Sequence, residues 1–146
     1  MIVQRLAPVI SSVVAALSGA GIPTGAGEAP DAVGWSGTPR ESTFVGYVVV
    51  HHLSGGLPDG TIEDPHEFAD VDVQLSTYGA NAEQTAEMSD LCRAVILPGT
   101  WTATGFVLVD VRWTLDGGST SLDDTRPRIW RGVDRYRIIT EHEELA

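Results

Sequence analysis

Between Asp70 and Thr77 apolar and polar residues alternate: Val71, Val73 and Leu75 fall on one parity, Asp70, Asp72, Gln74 and Ser76 on the other. A period of two is the signature of a strand, here over 69–77, with one face in a core and the other wet. The pattern then changes period. Gln84, Met88, Leu91 and Val95 recur at helical spacing, with Cys92 and Ile96 beside them. That single stripe predicts a helix which covers one sheet face and is polar elsewhere. Asn81 is placed to cap it, Gln84 to close a capping box, and Pro98-Gly99 to end it. Glu83 and Glu87 suit the positive N-terminal end of the helix dipole.

Near the N-terminus Val3, Leu6, Ile10, Val13, Val14 and Leu17 again recur at helical spacing, predicting a helix over 2–19. Pro8 is tolerated in a first turn, so regular helix is expected from about Leu6 onward. The small residues Ser18-Gly19-Ala20 imitate a secretory cleavage site, but the polar interruptions favour an amphipathic helix. Residues 20–43 are rich in Gly, Pro, Ala and Thr and read as a long arm or loop in which Trp35 must dock. Phe44 to His52 is β-branched and aromatic, hence a strand. Residues 54–68 read as a long loop. Trp101 to Leu115 is the most apolar run and is expected to be a central strand. Residues 116–127 read as a second long loop, and about 128–142 as the returning strand. The order helix, strand, strand, helix, strand, strand predicts an α+β fold over 1–146. It would be one domain, with an antiparallel-rich mixed sheet of four or more strands and two main helices on one face. No stretch is long and apolar enough to span a bilayer as a helix.

Composition narrows the function. The chain holds nine basic and twenty acidic residues, a formal net charge of −11. That balance argues against a grip on nucleic acid, which needs clustered Lys and Arg. It is compatible with DNA passing nearby, since an acidic wall repels phosphates. The one cysteine, Cys92, excludes an intrachain disulfide and a cysteine-based zinc site, and its helical position predicts a small buried residue.

No phosphate loop, nucleophile elbow, HExxH or dinucleotide fingerprint is present, and no cofactor is implied. The best candidate for chemistry is the group His51, His52, Asp64, His66, Glu67, Asp70 and Asp72. A metal-dependent site using His66, Asp70 and Asp72 is one reading. A solvated acidic face is the plainer one, because same-face aspartates two apart on a strand lie about 7 Å from each other. The basic run Arg126, Arg128, Arg131, Arg135 and Arg137 puts 131, 135 and 137 on one strand face. There they can pair with Asp70 and Asp72 of a neighbouring strand, or with another subunit.

Three segments together resemble the tail terminator (tail-to-head joining) proteins of long-tailed bacteriophages. They are the N-terminal helix QRLAPVISSVVAAL, the strand-turn-helix ADVDVQLSTYGANAEQTAEMSDLCRAVI, and the closing hairpin with its polar loop and acidic end. The resemblance implies a structural virion protein with no catalysis. Six copies would form a ring that caps the tail tube, ends its polymerisation and joins it to the head connector. DNA would pass through without specific binding. The implied partners are the major tail tube protein, the head-closure or connector protein and the tape measure protein, with assembly in the host cytoplasm. Head-closure and tail-completion proteins share related patterns and form the neighbouring alternative. On this chain the implied ring interface and lumen residues are Asp70, Asp72, Gln74, Arg131, Arg135 and Arg137. The implied tube or connector contacts are Leu57, Asp59, Glu63 and Asp64 in one loop, with Asp123 and Asp124 in the other. A metal-dependent enzyme and a secreted acidic binding domain are the readings outside this class.

Overall fold

The computed structural model describes residues 7–38, 42–53, 58–59, 68–102, 106–122 and 128–142. Its elements in chain order are α1 (Ala7–Gly19), β1 (Thr24–Ala26), β2 (Gly34–Trp35), β3 (Phe44–Val45), β4 (Tyr47–His52), β5 (Pro58–Asp59), β6 (Phe68–Gly79), α2 (Ala82–Ile96), β7 (Phe106–Leu122) and β8 (Ile129–His142). The main sheet runs β1-β4-β6-β8-β7, with β5 paired to one end of β6. Only β1 joins its neighbour in parallel; the other pairings are antiparallel. The fold is therefore α+β with a mixed, antiparallel-rich sheet, and the four long strands and two helices follow the expected order.

Both helices lie on the same face, where they touch each other as well as the sheet. The core between the layers joins Val9, Val13 and Leu17 of α1 to Val48 and Val50 of β4, Val71, Val73 and Leu75 of β6, and Tyr136 and Ile138 of β8. Cys92 and Ile96 come from α2. Pro8 falls in the first turn of α1, where its missing N–H has no intrahelical acceptor to lose. Asn81 caps α2 as expected: its Oδ1 accepts from the Gln84 backbone N–H at 2.8 Å. The return bond from the box goes one residue further back, with Gln84 Oε1 accepting from the Ala80 N–H at 2.8 Å.

The helix-sheet contact differs from the expected stripe. Thr85, Cys92 and Ile96 are the buried residues of α2, and Leu91 is 54% exposed. The cause is a close approach. A Cβ on Gly132 would stand 2.5 Å from Thr77 Oγ1 and 2.9 Å from Thr85 Cγ2, and one on Gly79 would stand 2.9 Å from Thr85 Oγ1. With two glycines beneath it, α2 settles low on the sheet. Its contact face is then small side chains, which explains why the helix carries so few large apolar ones.

Four boundaries are corrected. The strand expected over Phe44 to His52 breaks at Gly46 into β3 and β4, at a point where a Cβ would press on Gln84 and Met88 of α2 at 3.3 Å. The segment 20–43 is not simply a loop: β1 extends the main sheet, and β2 pairs with β3, where Trp35 meets Phe44 edge-to-face at 5.3 Å. Strand β7 continues through 116–122, expected as loop, by absorbing Gly117 and Gly118 in a register irregularity between Asp116 and Ser119. Strand β7 is also not central. It is the edge, and β8 takes the inner place, paired with β6 on one side and β7 on the other.

Candidate functional site

Alternation along β8 sends Gly132, Asp134, Tyr136, Ile138 and Thr140 toward the helices, and Arg131, Arg135 and Arg137 to the opposite face. On β6 the same rule sends Asp70, Asp72 and Gln74 to that opposite face. The register sets Asp72 across from Arg137, Gln74 across from Arg135, and Tyr78 across from Arg131. The six candidate residues of the two strands thus meet on one surface, which no described helix covers.

The contacts there are specific. Arg137 Nε donates to both oxygens of Asp70, each at 2.8 Å, and its NH2 group also reaches Oδ2. This fork raises the Arg137 pKa, first through the hydrogen bonds to Asp70 and then through its charge. Arg135 Nε donates to Gln74 Oε1 at 3.3 Å. On β7, Arg112 Nε donates to Asp110 Oδ2 at 2.6 Å. Among the described residues Arg131 and Arg135 have no carboxylate in salt-bridge range. A shallow groove of about 410 Å³, lined by Leu53, Asp72, Thr114 and Arg135, crosses this face. Further along the sheet Tyr47 stacks on Tyr78 with ring centroids 4.7 Å apart. Ser76, expected to be wet, is buried; its register partner is Val49, also buried, and Gln74 Nε2 donates to its hydroxyl at 3.4 Å.

The metal reading loses its central ligand on this geometry. The Asp70 carboxylate is occupied on both oxygens by a guanidinium, so a cation there would have to displace a bidentate charge pair. Among the described residues no group of three or more His, Cys, Asp or Glu is placed to hold a metal. His66, the third proposed ligand, lies outside the described residues, as do Leu57, Glu63, Asp64, Asp123 and Asp124. Asp59 belongs to β5, whose backbone pairs Asp59 with Phe68 at the start of β6.

A second group of polar residues, not anticipated from the sequence, sits under α2. Asp134 is 1% exposed. The Trp113 indole Nε1 donates to its Oδ1 at 3.1 Å, and Arg93 NH2 stands 4.0 Å from the same oxygen. The Arg93 guanidinium in turn lies 3.7 Å over the Trp113 ring. Burial pushes the Asp134 carboxyl up; the Trp113 hydrogen bond and the Arg93 charge oppose that rise. Burial likewise lifts the neighbouring Cys92 thiol to about 12, with Asp134 adding to the rise, and it raises the Tyr136 phenol. The signal for this group was present: a carboxylate at position 134 shares parity with Tyr136 and Ile138, an inward place that an aspartate takes only with partners. Burial thus keeps the Cys92 thiol protonated at neutral pH, and the described contacts of the group are those that hold Trp113 in place.

No known family model matches this chain, and a search of curated proteins finds no match to it.

Proposed function

We propose that the chain is the ring-forming structural subunit at the tail-to-head joint of a long-tailed phage. In this reading it caps the tail tube, ends tube growth and meets the head connector, with DNA passing through an acidic lumen. The observation that carries the proposal is a sheet that, among the described residues, has helices on one side only and presents an ordered ionic surface on the other. That surface has arginines to spare: Arg131 and Arg135 are exposed there without carboxylate partners among the described residues. The outer side of α2 carries the opposite sign, with Glu83, Glu87 and Asp90 exposed. A thin protomer with unlike charge on its two sides suits head-to-tail packing, which closes into a ring when the rotation permits. The net charge of −11 suits a conduit that must not retain DNA.

The resemblance in the strand-turn-helix segment supplies the phage context, and the reading assigns no catalytic step or cofactor. Its partners are further copies of the chain, the tail tube protein and the connector, with the tape measure protein within reach of the lumen. The test is addition of purified protein to growing tail tubes, followed by electron microscopy. Tubes of limited length with ring density at one end are the expected result. Tubes of unchanged length and bare ends would refute the proposal.

A further inference from the structure

Strand β7 pairs with β8 on one side, and among the described residues nothing pairs with its other side. Of the five large apolar residues exposed among the described residues, four lie on it: Val107 at 40%, Val109 at 52%, Trp113 at 38% and Leu115 at 41%. A long, apolar, unpaired edge invites another strand. The order of residues along this edge says which strand it fits.

From 107 to 115 the chain reads Val-Leu-Val-Asp-Val-Arg-Trp-Thr-Leu. The exposed apolar residues stand two and four places either side of Val111, and Asp110 and Arg112 stand one place either side. If two copies are laid antiparallel about Val111, Val107 faces Leu115, Val109 faces Trp113, and each Asp110 faces an Arg112. The faces agree at 107/115 and at 110/112. Val107, Asp110, Arg112 and Leu115 are level with Glu141, Ile139, Arg137 and Arg135 of β8, all on the uncovered side, whereas Leu108, Val111 and Trp113 are level with Thr140, Ile138 and Tyr136 on the helix side. A two-fold axis through the sheet keeps each side on its own side. The two short-range register irregularities, between Leu108 and Asp110 and between Trp113 and Leu115, flank the centre. Trp113 is already fixed by its bond to buried Asp134 and by Arg93 above its ring, so this anchor is ordered before a partner arrives.

We infer that β7 is a self-complementary edge, and that the free protein pairs through it as a two-fold dimer with one continuous sheet. The occupant is a second copy of this chain because, from the centre outward, Val111 meets itself, each Asp110–Arg112 pair meets its reverse, and the exposed apolar residues meet one another at 109/113 and 107/115. A two-fold contact does not close a ring, so this inference stands apart from the ring proposal and uses a different surface.

Sedimentation velocity on the full chain across the micromolar range tests it. Dimers are expected, and Asp110→Arg or Arg112→Asp alone should weaken them about tenfold or more by placing like charges opposite each other. Mixing the two variants should restore a dimer, since the first then offers two arginines to two aspartates of the second. That recovery also shows that both variants are folded. Val111→Cys should form a disulfide dimer on mild oxidation, because directly opposite Cα atoms in an antiparallel pair lie within disulfide span; Cys92 is buried and does not compete. A chain that stays monomeric, a dimer indifferent to both reversals, a mixture no stronger than its components, or a dimer that Val111→Cys fails to cross-link would each overturn the inference.

Discussion

At the scale of single residues the most consequential group is Asp134. It is buried, it accepts from the Trp113 indole, and its pKa is raised above the ordinary 3.8 by burial. A carboxyl bound more tightly to its proton in the folded chain adds stability in acid. That stability is fully present below about the ordinary value and is lost as pH rises through the folded one. Asp134→Asn keeps an acceptor for Trp113 and removes the charge, so the difference in urea midpoint between it and the parent should grow in favour of Asn as pH rises above 3.8. Asp134→Ala leaves the indole N–H and Arg93 without their acceptor and should cost about 1–3 kcal/mol. A parent and Asn variant with parallel pH profiles would show that this carboxyl is not strained by burial. Cys92 gives a second pH test. Its folded pKa lies near 12 against an ordinary 9.0, so the stability linked to it is lost as pH climbs through that interval. The slope is at most about 1.4 kcal/mol per pH unit for one proton. Cys92→Ala should lose that slope even though it lowers stability at neutral pH. In the native parent at pH 8 the thiol should resist alkylation, then react fully in urea.

At the scale of elements the sequence and the fold agree where one local rule decides. The period-two run in β6, the Asn81 cap and the Pro98-Gly99 stop needed no knowledge of distant residues, and all three stand in the structure. Disagreement appears where the outcome depends on a neighbour. Leu91 belongs to a helical stripe by spacing, yet the glycines at 79 and 132 lower α2 and turn it so that Thr85 and Cys92 face the sheet. Residues Trp101 to Leu115 look central by hydrophobicity, but strand position is set by which strands can satisfy two neighbours, and β8 does so through Arg137 on Asp70. Its arginines, a mark of exposure by composition, lie on the uncovered face and are compatible with an inner place. The inward place of Asp134 was legible from its parity with Tyr136 and Ile138, but its partners were not, since Arg93 and Trp113 are far from it in sequence and meet it only after α2 docks. Gly132 is therefore a decisive position. Gly132→Ala would push a methyl group against Thr77 and Thr85, and overpacking of that kind costs about 1–3 kcal/mol. Gly118→Ala, with open space around it but a φ of +67°, should cost less and only through its backbone. Equal losses at both glycines in thermal unfolding would contradict a close helix-sheet approach at Gly132.

At the scale of the whole molecule charge sets the terms of assembly. Each copy carries −11, so any association, ring or dimer, brings like-charged bodies together. Two such charges roughly 30 Å apart in water repel by about 17 kcal/mol without salt. Screening over a Debye length of roughly 30 Å at 0.01 M leaves about 6 kcal/mol, and one of about 10 Å at 0.1 M leaves less than about 1 kcal/mol. The attractive ion pairs available at exposed contacts are worth about 0.2–1 kcal/mol each, so they are the smaller quantity at low salt. Self-association should therefore strengthen as salt rises from 0.01 to 0.1 M and then level off once repulsion is screened. The same field should keep the protein from retarding duplex DNA at low salt, where basic proteins bind it most tightly. Sedimentation in a salt series checks the first statement and a gel-shift series the second. Association that weakened steadily from the lowest salt upward would mean that local ion pairs outweigh the net charge.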